Sequence, residues 1–150
     1  MSELKTELYK KCLEFAESQV INTRQAIESA EQASKNDTKS SAGDKYETGR
    51  EMMTQEINRL SHQLQEAGKL IEALKQVDIT KRDETVRVGS LVLTDKGNFF
   101  IAIGAGQIRL TEKIYFAISR ASPLAAKFAG LAAGKTIEFN DKTYTIEAVL

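Results

Sequence analysis

Apolar residues in the second quarter of the chain recur at alternating spacings of four and three positions, interrupted by a single charged member. They form one stripe from residue 46 to residue 74, and its members are Tyr46, Arg50, Met53, Ile57, Leu60, Leu64, Ala67, Ile71 and Leu74. The positions between them hold mostly Glu, Gln, Lys, Asn and Ser. A stripe this narrow, with a seven-residue period, predicts a helix that packs against one partner, as in a coiled coil.

A matching stripe lies upstream and supplies that partner. Its members follow the same alternation and are Tyr9, Leu13, Ala16, Val20, Thr23, Ile27 and Ala30. Charged residues beside this stripe, Lys5 among them, predict a solvated face. Two complementary stripes predict an antiparallel hairpin, whose arms of about 30 residues would each be roughly 45 Å long. Because the stripes can satisfy each other within one chain, we expect a monomer.

The segment between the stripes favours a turn. Residues 35–44 are rich in Asn, Asp, Ser and Gly, which compete with the helix for backbone hydrogen bonds. Asp44 is predicted to cap the second helix, with Glu47 as its capping-box partner. The tip of the hairpin is therefore predicted at about residues 36–44. Arg50 stands where an apolar residue is expected, and we expect it to pair with an acidic residue of the first helix.

The pattern changes to short β-type runs beyond residue 85. They predict strands at residues 90–94, 98–103, 113–119, 136–139 and 143–149. Hairpin turns are predicted at residues 95–97 and 140–141, and a bend at residues 104–106. Between the strands, Ser122 is predicted to cap a short helix that starts at Pro123 and ends at Gly130.

These patterns predict an α+β protein with two parts. Residues 1–77 form an antiparallel coiled-coil hairpin, residues 78–85 a polar linker, and residues 86–150 a domain with a small antiparallel sheet and one short helix. No apolar run reaches the ~18 residues needed to span a bilayer, so we expect a cytoplasmic protein with no membrane partner.

Charge and reactive side chains exclude several functions. The 21 Lys and Arg residues balance 21 Asp and Glu residues, which does not indicate general nucleic-acid binding. Cys12 is the only cysteine, so no internal disulfide can form. Cys12 and His62 could be a nucleophile and a base, but half the chain is hairpin and leaves little room for a catalytic pocket. We therefore expect no intrinsic enzyme activity.

Three segments of the C-terminal part carry a family resemblance. They are residues 86–90 (VRVGS), residues 122–125 (SPLA) followed by residues 130–137 (GLAAGKTI), and residues 144–149 (YTIEAV). In this order, after a helical hairpin, they resemble the bacterial Gre family of transcript-cleavage factors. The resemblance implies an FKBP-like C-terminal domain and binding to RNA polymerase through its secondary channel. It makes Ser122, Pro123 and Leu124 candidates for contact with the polymerase.

The tip departs from the pattern of the cleaving members of that family. Those members carry two acidic residues that help to hold a second Mg²⁺ beside the polymerase's catalytic metal. When Tyr46 is aligned with their tip tyrosine, Lys39 and Ala42 take the two acidic positions. The candidate tip residues are Asp37, Lys39, Ser41, Asp44, Glu47 and Arg50, with Asp37 and Asp44 as possible metal ligands.

The resemblance thus implies a transcription elongation regulator that occupies the channel, and the altered tip favours one that does not support cleavage. We expect no stably bound cofactor, a Mg²⁺ shared with the polymerase at most, and indirect contact with the nascent RNA. One alternative, from a different functional class, stays open. It is a coiled-coil adaptor or chaperone-like binding module with an FKBP-like head and no role at the polymerase.

Overall fold

Two long helices form the first half of the chain. The computed structural model describes residues 2–40 and 44–150, without the side chains of residues 2, 36–40 and 44–47. Helix α1 spans Ser2–Ser40 and helix α2 spans Asp44–Lys75. The helices pack together along the predicted stripes, whose described members are buried or partly buried apart from Arg50. The most enclosed of them are Ala16, Ala30, Leu60, Ala67 and Leu74.

The helices run antiparallel. The Tyr9 hydroxyl donates a hydrogen bond to the Leu74 carbonyl oxygen at 3.2 Å, which joins the start of α1 to the end of α2. Helix α1 continues to Ser40, so residues 35–40 are helical although the sequence predicted them within the turn segment 35–44. Residues such as Asn and Asp oppose a helix by only a fraction of a kcal/mol each, about 0.7 at most, which explains the longer arm.

The second half of the chain forms a six-stranded sheet with the order β3-β4-β2-β1-β6-β5. The strands are β1 Leu91–Thr94, β2 Gly97–Ala102, β3 Gly106–Leu110, β4 Lys113–Ser119, β5 Thr136–Phe139 and β6 Lys142–Val149. The pairing is antiparallel except between β2 and β4, which are parallel. The predicted α+β class is confirmed. The prediction that the sheet is antiparallel was wrong for the pair of β2 and β4.

Strand β3 was not predicted from the sequence. Residues 104–106 were interpreted as a bend, but Gly106 begins a strand that pairs with β4. The two strands are joined by Thr111 and Glu112, which have φ angles of 47° and 66°. Asn140 and Asp141 have similar values, 51° and 64°, in the predicted turn between β5 and β6. Two successive positive φ angles are the geometry of a type I′ hairpin, which Asn favours and a β-branched Thr resists.

Both faces of the central strands β1 and β2 are largely buried. On one face, Phe99 lies 5.5 Å from Phe128 and 6.0 Å from Tyr144, measured between ring centroids. Phe128 comes from helix α3, Pro123–Phe128, which packs on this face. On the other face, Phe100 pairs with its neighbour Leu91, and both are fully buried. Burial on both faces explains the near-continuous apolar runs in these two central strands.

The described chain divides into two compact units. One comprises Met1–Phe15 with Glu72–Leu150, and the other comprises Ala16–Ile71. The base of each long helix is therefore grouped with the sheet. The boundaries proposed from the sequence, at residues 77 and 86, remain a prediction about domains.

Candidate functional site

The predicted tip lies mostly outside the described side chains. Asp37 and Lys39 belong to the end of α1, and Asp44 and Glu47 to the first turn of α2, but their side chains are not described. Ser41 lies outside the described residues altogether. Helix α2 begins at Asp44, and the capping role of the Asp44 side chain stays a prediction. The assignment of these residues to a tip site, and of Asp37 and Asp44 to a metal, stays a prediction.

Arg50 is the tip candidate whose side chain is described, and it is exposed. The prediction that it lies within the seam was therefore wrong. Its carbonyl oxygen accepts a hydrogen bond from the Thr54 hydroxyl at 2.9 Å, and no ion pair joins its guanidinium to another described side chain. A guanidinium keeps its water when it points outward, which avoids the desolvation cost of a buried charge. Arg50 thus offers a cation to solvent near the end of the hairpin.

The outer surface of α2 carries both signs of charge in close pairs. Arg59 donates hydrogen bonds to Glu56, and Lys69 lies 3.1 Å from Glu66. The hydrogen bond from Arg59 holds the pKa of Glu56 below its ordinary value. Alternating pairs of this kind present no uniform positive field, so this helix surface is poorly suited to bind a polyanion by charge alone.

The three candidates for polymerase contact have different surroundings. The Ser122 hydroxyl oxygen accepts a hydrogen bond from the Ala125 N–H at 3.2 Å and so caps α3, as predicted. Leu124 is partly buried and packs against the core. Pro123 is exposed at the first position of the helix. The local structure accounts for Ser122 and Leu124, and a contact of these residues with polymerase stays a prediction.

Cys12 and His62 show no sign of a catalytic pair. Cys12 is fully buried, and burial raises the pKa of its thiol to about 12, so the thiolate needed for nucleophilic attack is scarce. The side chain of His62 is 73% exposed, with Nε2 at 4.0 Å from Glu66. Within the described part of the chain, no group of three or more His, Cys, Asp and Glu residues is arranged to hold a metal.

Lys5 is the feature that sequence reasoning missed. It was predicted on the solvated face, but it is only 4% exposed. Its Nζ donates hydrogen bonds to the carbonyl oxygens of Lys81 at 3.2 Å and Leu150 at 3.3 Å. Burial, and secondarily the charge of Arg87, lowers the pKa of Lys5. The sequence beside a heptad stripe does not distinguish a buried lysine that bonds to two backbone carbonyl oxygens from a lysine exposed to water.

Comparison with known proteins gives a limited result. No model of a protein family matches the chain, and no curated protein matches it either. A solved structure described as that of the transcription factor Gfh1 matches 94% of this chain and 92% of its own, with 19% sequence identity and a TM-score of 0.35. At this level of similarity, the likeness assigns neither a function nor a partner to the chain. Among the described residues, every helix is too short or too polar to cross a bilayer.

Proposed function

We propose that this chain is a transcription elongation regulator that binds RNA polymerase and inserts its helical hairpin into the secondary channel. The observation that best supports this is the order of parts within one chain. A helical hairpin is followed by a β domain that carries, in sequence, the three segments that resemble the Gre family. We propose in addition that the β domain is FKBP-like and docks at the rim of the channel, with Pro123 in the contact.

The dimensions of the hairpin support the proposal. Helix α1 has 39 residues and α2 has 32. At about 1.5 Å per residue, these helices are about 58 Å and 48 Å long. Helices of this length are long enough for the proposed entry into a narrow pore.

The composition of the tip supports channel occupancy without cleavage. Mg²⁺ prefers carboxylate oxygens, and it is the second metal that positions and stabilises the attacking oxygen in hydrolysis. The two family positions that would supply carboxylates hold Lys39 and Ala42. Asp37 and Asp44 are the nearby carboxylates that would hold such an ion. Lys39 and exposed Arg50 would repel it. We therefore propose that the chain competes for the channel without supporting cleavage. We propose further that it acts as a monomer in the cytoplasm.

Two measurements test this function in turn. The full chain is first mixed with core RNA polymerase and recovered by affinity capture. Failure to bind would leave the adaptor or chaperone-like module as the better account. If it binds, backtracked elongation complexes are incubated with Mg²⁺ and the chain, and the RNA is followed for shortening. We expect binding without added cleavage.

A designed variant tests the alignment of the tip. Lys39→Asp combined with Ala42→Glu restores the two carboxylates of the family pattern, so we expect transcript cleavage to appear in the backtracked complexes. Lys69→Asp with Ala73→Glu makes a matched change of charge on an exposed helix surface away from the tip, and it should have no such effect. Cleavage by the unaltered chain would overturn the noncatalytic part of the proposal.

A further inference from the structure

A groove of about 620 Å³ lies in the compact unit that contains the sheet. One wall is the segment at residues 82–84, and the other is the end of β6 at residues 147–149. Ala132 and Ala133 complete the lining and form the floor, in a segment that is bonded to Thr85 on one side and to Ile146 on the other. The volume is in the range of specific ligand sites, about 300–1,000 Å³.

The walls of the groove are held in place by hydrogen bonds. At one end, Lys5 joins the carbonyl oxygens of Lys81 and Leu150, which continue the two walls. At the floor, Thr85 forms a β-bridge with Ala132, and the Gly134 N–H donates to the Ile146 carbonyl oxygen at 2.7 Å. The floor segment is therefore bonded to both sides. A groove braced in this way is formed before a ligand arrives, which lowers the entropy cost of binding.

The end of β6 offers an edge for backbone pairing. Strand β5 pairs with β6 only from Lys142 to Thr145, and β1 pairs with Ile146, Ala148 and Val149 of β6, with a register shift that leaves Glu147 without a partner in β1. Of the strands described, none pairs with the groove side of residues 147–149. An extended peptide can add to a sheet edge of this kind through its own N–H and C=O groups.

The charge around the groove selects the type of peptide. Asp83 is neutralised by Arg87, whose Nε lies 2.7 Å from its carboxylate. Glu84 and Glu147 are exposed, and neither forms an ion pair with another side chain in the described ranges. Arg82 is the one basic residue in the lining, against three acidic residues, so the lining itself is acidic on balance, and the Lys5 ammonium lies at one end of the groove. The alanine floor suits the aliphatic stem of a lysine or arginine whose charged end reaches a carboxylate.

We propose that this groove binds a short extended segment of a partner protein that carries lysine or arginine. The segment pairs with residues 147–149, lays its aliphatic stems over Ala132 and Ala133, and places its cations beside Glu84 and Glu147. The observations behind this proposal do not depend on the proposed transcriptional role.

The test measures the affinity of the full chain for a capped six-residue peptide of alternating valine and lysine, by calorimetry. We expect the peptide to bind, its glutamate counterpart not to bind, and the affinity to fall as ionic strength rises. Glu84→Gln with Glu147→Gln should weaken binding roughly threefold to tenfold, as expected for the loss of two exposed ion pairs. The control is Glu112→Gln with Glu138→Gln, two exposed carboxylates outside the lining, which should leave the affinity unchanged.

A second pair of variants tests the floor. Ala133→Leu fills the groove and should abolish binding, whereas Ala126→Leu, at an exposed position of α3, should not. Thermal unfolding of each variant shows that it is folded. The proposal is overturned if no peptide binds, if the two glutamine variants behave alike, or if a capped single lysine binds as tightly as the hexapeptide.

Discussion

Substitution of Gly89 by alanine tests how closely the sheet approaches the segment after α2. Gly89 has a φ angle of +96°, and a Cβ built there would lie 2.4 Å from the Asp78 carbonyl oxygen. The same residue donates its N–H to the Ile101 carbonyl oxygen at 2.7 Å, so it cannot easily move away. We expect two separate costs. A left-handed backbone costs an alanine about 1–2 kcal/mol, and overpacking a fixed site adds about 1–3 kcal/mol.

Gly130 provides a matched control for this prediction. Its φ angle is +80°, but nothing lies within 4 Å of the position of its Cβ. Gly130→Ala should therefore carry the backbone cost alone, about 1 kcal/mol, and Gly89→Ala about 3 kcal/mol. Guanidinium unfolding of both variants, followed by tyrosine fluorescence, measures the two free energies. If Gly89→Ala were no less stable than Gly130→Ala, the close approach of Asp78 would be refuted.

Three further predictions follow from contacts in the same unit. Lys5→Met should lower the free energy of unfolding by about 1–2 kcal/mol, because two partly buried hydrogen bonds lose their charged donor; a denaturation curve that coincides with the wild type would contradict this. Cys12, with its raised pKa of about 12, should resist iodoacetamide at pH 8 in the native chain and react on unfolding, as mass spectrometry would show. The hydrogen bond from the Thr145 N–H, 2.8 Å long, is the main cause that lowers the pKa of Asp95 from its ordinary 3.8. Asp95 therefore stabilises the fold above pH 3.8, where the difference in the free energy of unfolding between wild type and Asp95→Asn should be constant. That difference should shrink as the pH falls through the lower pKa that Asp95 has in the folded state.

The helical half of the chain was largely predictable because its signal is periodic and long. Each turn of a coiled coil repeats the same requirement for an apolar contact, and four heptads make a chance match improbable. Arg50 shows the limit of this reasoning. A heptad assigns it to the seam, but its long side chain carries the charge outward, and the exposed guanidinium is the result.

The sheet was predictable where its turns have a chemical signature. Asn140 and Asp141 tolerate positive φ and mark the hairpin between β5 and β6. Thr111 and Glu112 adopt the same geometry without favouring it, so the β3–β4 hairpin leaves little trace in the sequence. Two features depend on contacts between residues distant in sequence, which local patterns do not contain. They are the parallel pairing of β2 with β4 and the hydrogen bonds of Lys5 to the C-terminal half of the chain.

Binding at the polymerase channel is the central claim, and site-specific photo-crosslinking tests it most directly. A benzoylphenylalanine replaces Ser41, at the predicted tip, or Glu138, on strand β5, and each chain is irradiated with core RNA polymerase. We predict that position 41 crosslinks to polymerase residues around the catalytic metal and that position 138 does not reach them. A chain that leaves the polymerase uncrosslinked, or that crosslinks equally from both positions, would contradict the claim.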